Sequence, residues 1–240
     1  TFGSLAFKNF VPEYSDLIAL TIENSGGIIY AKSNTPEFEA GASTFNEVFG
    51  ITRNPWNINR SSAGSSGGAA AAVASGMAFI AQGSDFACSV RYPAAFCGVV
   101  GLRPTPGLIP QGPNRLPYQN LSVIGPLARN IEDIGLAMDA MVDFNVKDPL
   151  TRPCFQLSYR SEAKLPKKPK FLGFSMDFGG LAIISSAVQK IVSKAIALLE
   201  SEGVEINFNS PNVAEADAAF RPLRAAQFAG MWSHVLQSNR

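Results

Sequence analysis

One histidine, His234, occurs in 240 residues. That scarcity leaves any nucleophilic serine without its usual base unless another group takes the role. It also argues against a metal site, because Cys88, Cys97 and Cys154 follow no zinc spacing. No metal and no organic cofactor is expected. An odd, sparse set of cysteines excludes a disulfide framework and fits reduced thiols in the cytoplasm. A charge excess is missing too: 20 Lys and Arg stand against 19 Asp and Glu, a net charge of +1. Without a basic excess, nucleic acid and acidic lipid are excluded as partners. The one basic cluster, Lys164 to Lys170, is interrupted by prolines and reads as a solvated linker. Long apolar runs are lacking. Ala63 to Ser84 carries no charge, but its Gly, Ser and Ala content makes it no membrane span. No segment has a signal-peptide layout. What remains is 46% hydrophobic and 16% charged, a globular chain able to build a sizeable core.

Periodicity then suggests the elements. Asp16 to Asn24 is helical and Gly26-Gly27 ends it. Ile28 to Lys32 reads as a short buried strand. Gly67 to Ala78 is an alanine-rich helix whose bare surface lets neighbouring backbone approach. Phe79 to Gln82 reads as a strand. Asn130 caps a helix that runs toward Phe144, with Asp133 three residues on. Phe171 to Ser175 is strand-like. Ser186 to Glu202 carries the apolar stripe Val188, Ile191, Val192, Ala195, Leu198 and Leu199, with Gly203 as its stop. Val204 to Phe208 alternates like a half-buried strand, and a last helix begins near Val213. Strand, helix and strand from 171 to 208 make a βαβ unit, so part of the sheet is expected to be parallel. The stretch near 150–170 reads as a crossover loop within a single α/β domain.

Ser65 and Ser89 stand at the two ends of the small-residue segment. The helix between them carries the chain roughly 16 Å one way, and the strand returns it by roughly 16 Å. The two serines can therefore become neighbours, beside the unpaired N–H groups at the helix start. Donors aimed at a developing oxyanion are what acyl transfer needs. Spacing alone leaves the plainer alternative, a tight loop, open. Gly64 to Gly68 also matches G-x-S-x-G, with Ser66 as its serine, but the preceding "NPWNINRSSA" is loop-like rather than the strand that motif requires. No phosphate-cradling G-K-[ST] follows.

"AGSSGGAAAAVASGMAFIAQGSDFACSVRYPAAFCGVVGLRPT", from Ala63 to Thr105, resembles the signature region of the amidase signature family. "GGIIYAKSNTPEF", "TFNEVFGITRNPWN" and "LSVIGPLARNIEDIGLAMDAM" are similar to that family as well. The resemblance implies an α/β fold with a mixed β-sheet flanked by helices, of which residues 1–240 are a partial domain. It implies amide hydrolysis by a Ser–cis-Ser–Lys triad through an acyl-enzyme, with a small-molecule amide as substrate. The nucleophile matches Ser89. The bridging serine, preceded by a cis peptide bond in the family, matches Ser65. The base is a neutral lysine, its pKa depressed by burial. That lysine matches neither Lys8 nor Lys32. "TFGS" at the start resembles the end of a turn that follows it, so the expectation is an internal fragment, inactive alone, lacking the lysine and a C-terminal part.

The family's oxyanion donors fall on the backbone of Phe86, Ala87 and Cys88, where it usually has glycines. If one of those glycines needs a positive φ, Ala or Cys there is strained by roughly 1–2 kcal/mol. Asp85 and Arg91 are expected to brace the loop, with Ser66 in support; Pro93 and Cys97 are expected to pack. His234 is expected to be structural. The amidotransferase of tRNA-dependent amidation carries the same signature in its A-type chain, although "YQNLSVIGP" and "AEADAAFRPLRAAQFAG" look more like stand-alone amidases. A degenerate amide-binding scaffold is the third reading, motivated by the Phe-Ala-Cys loop. A second copy of the chain, in a homodimer, stays open as a partner.

Overall fold

The computed structural model describes residues 1–153, 157–165 and 167–238. Cys154 lies outside the described residues. The chain divides into two compact units, residues 1–165 and 166–240, and the division falls inside the Pro- and Lys-rich stretch read as a crossover loop.

In the first unit, α1 (Leu17–Asn24) is followed by two antiparallel hairpins. β1 (Phe45–Asn46) pairs with β2 (Gly50–Ile51) and β3 (Arg53–Asn54) with β4 (Asn57–Ser61). Then come α2 (Gly67–Ala74), β5 (Ile80–Asp85), α3 (Arg91–Cys97), β6 (Val100–Gly101), β7 (Val123–Ala128), α4 (Ile131–Met141) and α5 (Tyr159–Ala163). A three-stranded antiparallel sheet in the order β5-β7-β6 is the frame of the unit. The register runs from Ile80 opposite Ala128 to Asp85 opposite Val123. It delivers the chain to Asp85 at the end of β5, where the Ser89 loop begins.

One core cluster joins Ala69, Ala70 and Val73 of α2 to Val90, Ala94, Cys97 and Leu127. Alanines make this possible: a helix carrying only methyl groups can lie against a sheet and a second helix at short range. Gly68 shows how short, because an added Cβ would fall 2.4 Å from the Asn34 carbonyl oxygen. A second cluster packs Ile134, Ala137, Met138 and Met141 of α4 against Ile18, Ile109 and Ala128. The α4 N-cap is as expected, with Asn130 Oδ1 accepting the Asp133 N–H at 2.8 Å.

In the second unit, β8 (Phe171–Gly173) and β9 (Glu205–Asn207) pair in parallel, joined through α6 (Ser186–Ser201). This is the βαβ unit read from the sequence. Gly203 takes φ +81 just after the helix, the left-handed stop expected of it. The apolar stripe of α6 is less covered than its period suggests: Ile191 is 69% and Leu198 63% exposed. α7 (Ala216–Ser238) ends the unit with Pro222 inside it.

The fold is mixed α/β. Ile28 to Lys32 is not a strand. Its backbone forms no ladder among the described residues, and Ile28 and Tyr30 are 90% and 69% exposed. Its β-rich composition has no partner strand to act on.

Candidate active site

The loop before α2 and the loop after β5 meet. The Ser66 N–H donates to the Ser89 carbonyl oxygen at 3.2 Å. Ser66 Oγ also accepts the Ser84 N–H at 3.3 Å and donates to the Ser84 carbonyl at 3.4 Å. Three bonds therefore tie the Ser65–Ser66 turn to both ends of the Ser89 loop. Gly83 permits this closeness, since a Cβ there would come within 2.5 Å of Ser66 Oγ. Ser66 is thus a strut between the loops, not an exposed elbow.

Ser65 is buried and Ser89 half-buried. The Gly64–Ser65 peptide bond is cis, the geometry the resemblance implies for the bridging serine. Among the described residues neither Ser65 Oγ nor Ser89 Oγ makes a hydrogen bond, so the two hydroxyls are not joined to each other. Neither has its lone pairs or its proton committed elsewhere.

Thr44, buried at 1% exposure, holds the first loop. Its Oγ1 accepts the Gly67 N–H at 3.0 Å and donates toward the Ala63 carbonyl at 2.9 Å and the Ser65 carbonyl at 3.2 Å. Sequence reasoning assigned no role to Thr44, although it opens the quoted "TFNEVFGITRNPWN". One hydroxyl meeting three backbone groups needs a chain crossing that only the folded hairpins supply. Two of the N–H groups expected to be unpaired at the start of α2 have partners: Gly67 donates to Thr44 and Ser66 to Ser89.

Asp85 braces the second loop. It is wholly buried. Its Oδ1 accepts the Cys88 N–H at 2.9 Å, and Oδ2 lies 3.3 and 3.4 Å from the Val90 and Arg91 backbone nitrogens. The Arg91 guanidinium grips it from the side, Nε to Oδ2 at 2.9 Å and Nη2 to Oδ1 at 3.0 Å. Burial pushes the Asp85 pKa up. The bonds and charge of Arg91, with the backbone N–H groups, outweigh burial and hold the carboxyl below its ordinary range. Arg103 is a further brace that the sequence did not single out. Its Nη1 bonds to the Asp85 carbonyl and stands 3.6 Å from Oδ1, and its Nη2 donates to the Leu121 carbonyl at 3.1 Å.

The set of expected oxyanion donors narrows. Cys88 N–H is committed to Asp85 and so is not open to a substrate. The Ala87 and Ser89 N–H groups make no hydrogen bond among the described residues. Cys88 itself takes φ +75, the left-handed conformation that glycine accepts and a Cβ resists. Ala63, two residues before Ser65, takes φ +59. Each serine is therefore approached through a left-handed residue that is not glycine. Cys88 and Cys97 are free thiols. Burial pushes the Cys97 pKa up to about 11, which leaves that thiol inert. Pro93 is buried as well. His234 lies in the second unit, half-buried, with its ring stacked at 6.4 Å on Trp232.

The sequence profile of the family described as Amidase matches residues 1–235. Two curated relatives are A-type chains of glutamyl-tRNA(Gln) amidotransferase. That of Nostoc punctiforme is 36% identical over 88% of this chain and 44% of its own length. That of a Picosynechococcus species is 39% identical over 86% of this chain and 43% of its own. The corresponding glutamyl-tRNA(Gln) amidotransferase chain of Thermotoga maritima superposes with a TM-score of 0.83 at 28% identity, over 95% of this chain and 51% of that one. A 6-aminohexanoate cyclic dimer hydrolase superposes with a TM-score of 0.78 at 30% identity, over 86% of this chain and 44% of that one. The chain thus spans about half the length of the proteins it matches. Two serine loops tied by Ser66, and a profile match along almost all of the sequence, lead to one assignment: the chain belongs to the Amidase (amidase signature) family.

Proposed function

We propose that the protein containing this chain is an amidase. It hydrolyses the C–N bond of a carboxylic amide to a carboxylate and ammonia or an amine. Ser89 Oγ attacks the carbonyl carbon, and its proton passes to Ser65 and on to a neutral lysine that the family resemblance places ahead of Thr1. The tetrahedral oxyanion is held by the open Ala87 and Ser89 N–H groups. The proton returns to the leaving nitrogen as the C–N bond breaks, and water then hydrolyses the acyl-enzyme by the same relay. No step draws on a metal or an organic cofactor. The observation that carries this reading is the meeting of the two serine loops across the Ser66 N–H to Ser89 carbonyl bond, with both serine hydroxyls uncommitted. The chain alone, lacking the lysine, is inactive in this scheme. Its free thiols at Cys88 and Cys97 support a cytoplasmic setting. Among the described residues no helix is long and apolar enough to cross a membrane.

A second reading is favoured by the curated relatives, which are amidotransferase chains of the A type. In that reading the same serine chemistry releases ammonia for a partner enzyme rather than into solution. A fluorophosphonate probe applied to the full-length protein tests the shared chemistry. Labelling at Ser89, lost in Ser89→Ala together with amide turnover, is the expected outcome. An unlabelled Ser89 would overturn it in favour of an amide-binding scaffold. Turnover that needs a partner protein would select the amidotransferase.

A further inference from the structure

We propose that Thr44 is a positioning residue for the proton relay: it sets the backbone of Ser65 so that the Ser65 hydroxyl takes the proton of Ser89 and returns it to the leaving nitrogen. This deepens the amidase reading and rests on it.

Thr44 Oγ1 meets backbone groups on both sides of Ser65. It donates toward the Ala63 carbonyl at 2.9 Å, ahead of the serine, and toward the carbonyl of Ser65 itself at 3.2 Å. It accepts the Gly67 N–H at 3.0 Å, beyond the serine. One hydroxyl thus pins the chain before, at and after Ser65. Ser65 Oγ stands a single rotatable bond from that backbone, with three staggered positions to choose from. Fixing the backbone therefore fixes most of what decides where the hydroxyl lies. Thr44 touches the Ser65 carbonyl and not the reacting oxygens, so it acts through Ser65.

The fold makes room for this contact. An added Cβ at Gly67 would fall 2.4 Å from Thr44 Oγ1 and 2.9 Å from Thr44 Cβ. Glycine is a poor helix former, yet it opens α2, and the approach of the threonine hydroxyl is what it permits. Gly64 does the same on the other side of Ser65. A Cβ there would fall 2.7 Å from the Gly41 carbonyl and 2.9 Å from the Ser43 nitrogen. The segment 41–44 is therefore moulded onto 64–67.

Thr44 is itself held in place. The Thr52 N–H donates to its carbonyl at 2.9 Å, and Ser62 Oγ donates to the Thr52 carbonyl at 3.0 Å. The β1–β2 hairpin is thereby tied to the chain that enters the Ser65 loop. Ser66 holds the two serine loops together at the Ser89 carbonyl, and Thr44 holds the residues on either side of Ser66. Misplacing a reacting group by about 1 Å costs on the order of a hundredfold in rate. The loss depends on the leaving group. An amide nitrogen must receive the returned proton as the C–N bond breaks, whereas p-nitrophenolate leaves as the anion and needs none. A misplaced relay therefore slows an amide more than the p-nitrophenyl ester of the same acid. A protein that is merely less stable loses both in proportion.

The test uses the full-length protein with Thr44→Val, Thr44→Cys and Thr44→Ser. The probes are the amide that the wild type turns over and the p-nitrophenyl ester of the same acid. In Thr44→Val the amide kcat should fall about a hundredfold, with KM within about twofold of the wild type. The ratio of amide to ester kcat should fall at least about tenfold. Thr44→Ser keeps the hydroxyl and should restore the ratio. Thr44→Cys, whose thiol is a weak donor and acceptor, takes the place of Thr44→Val if valine prevents folding. The ratio does not depend on the fraction of protein that is folded. An unchanged ratio, a loss carried by KM alone, or a ratio that serine fails to restore overturns the proposal while Ser89 still labels with the fluorophosphonate. An unlabelled Ser89 is the separate failure of the amidase reading, and the proposal falls with it.

Discussion

Replacing Asp85 by Asn tests whether the Ser89 loop is held by charge. Asparagine keeps one acceptor oxygen, enough for the Cys88 N–H at 2.9 Å. In place of the other it presents an NH2 group to three donors, Arg91 Nε at 2.9 Å and the Val90 and Arg91 N–H groups at 3.3 and 3.4 Å. Donors then face a donor in a site with no solvent exposure at position 85. Removing one partner of a buried ion pair costs about 3–5 kcal/mol. The lower end applies, about 3 kcal/mol, because the Arg91 side chain is 49% exposed and can turn to water. The opposite substitution, Arg91→Gln, is expected to cost only about 1 kcal/mol, because Asp85 retains Arg103 and the backbone donors. Urea denaturation of the whole protein measures both losses, and the rate of fluorophosphonate labelling reads the loop. Equal losses in the two variants, or a loss below about 1 kcal/mol in Asp85→Asn with labelling unchanged, would refute the assignment of Asp85 as the hub.

The other expectations can be checked with the same assays. Cys88→Gly removes a Cβ from a residue at φ +75 and should raise stability by about 1 kcal/mol; a lower urea midpoint would show that the thiol packs better than its backbone suggests. Thr44→Val leaves the buried Gly67 N–H and two carbonyls without their partner and should cost about 2 kcal/mol, while Thr44→Ser should restore most of it. The stability that Asp85 supplies depends on pH with a fixed sign. Its folded pKa lies below the unfolded value, which is about 3.9. Its contribution is full above that value and lost as pH falls through the lower folded one. The gap between wild type and Asp85→Asn should therefore narrow in acid below about pH 4, and a constant gap in a series of urea titrations would contradict it.

Helices were largely legible in the sequence, because their signals are local. Asn130 and Asp133 cap α4, and Gly203 stops α6, through bonds and angles within a few residues. The central strand was not legible. β7 contains Gly125 and Pro126, both strand breakers by composition, yet it lies between β5 and β6. An added Cβ at Gly125 would fall 2.1 Å from the Leu102 carbonyl, so its glycine serves a close approach that only the folded neighbours define. Ile28 to Lys32 is the converse, β-rich residues without a partner strand among the described residues. At the site, Asp85, Arg91 and Ser66 were legible from a resemblance, whereas Thr44 and Arg103 act across 23 and 18 residues of sequence. Nothing in their local pattern announces the group that they meet.

Ala63, Cys88 and Glu39 share one property, a left-handed backbone at a residue with a side chain. Each stands at a boundary of the same small region: Ala63 before Ser65, Cys88 before Ser89, and Glu39 on Ser84. Each is also over-determined by its surroundings. The Ala63 carbonyl is held by Thr44, the Cys88 N–H by Asp85, and the Glu39 N–H by the Pro36 carbonyl at 2.9 Å. A fold that only needed tight turns would be more stable with glycine at all three positions. At Cys88 and Ala63 the side chain adds no hydrogen bond, and their replacement by glycine should leave chemistry intact. At Glu39 the side chain accepts the Ser84 hydroxyl at 3.2 Å, and its replacement by glycine relieves the backbone but removes that bond. The same backbone exception thus divides into two kinds, conformation alone and conformation that also places a hydrogen-bonding side chain. The two kinds are separable by the urea midpoint, which substitution with glycine should raise at Ala63 and Cys88 and raise less at Glu39, where a hydrogen bond is lost.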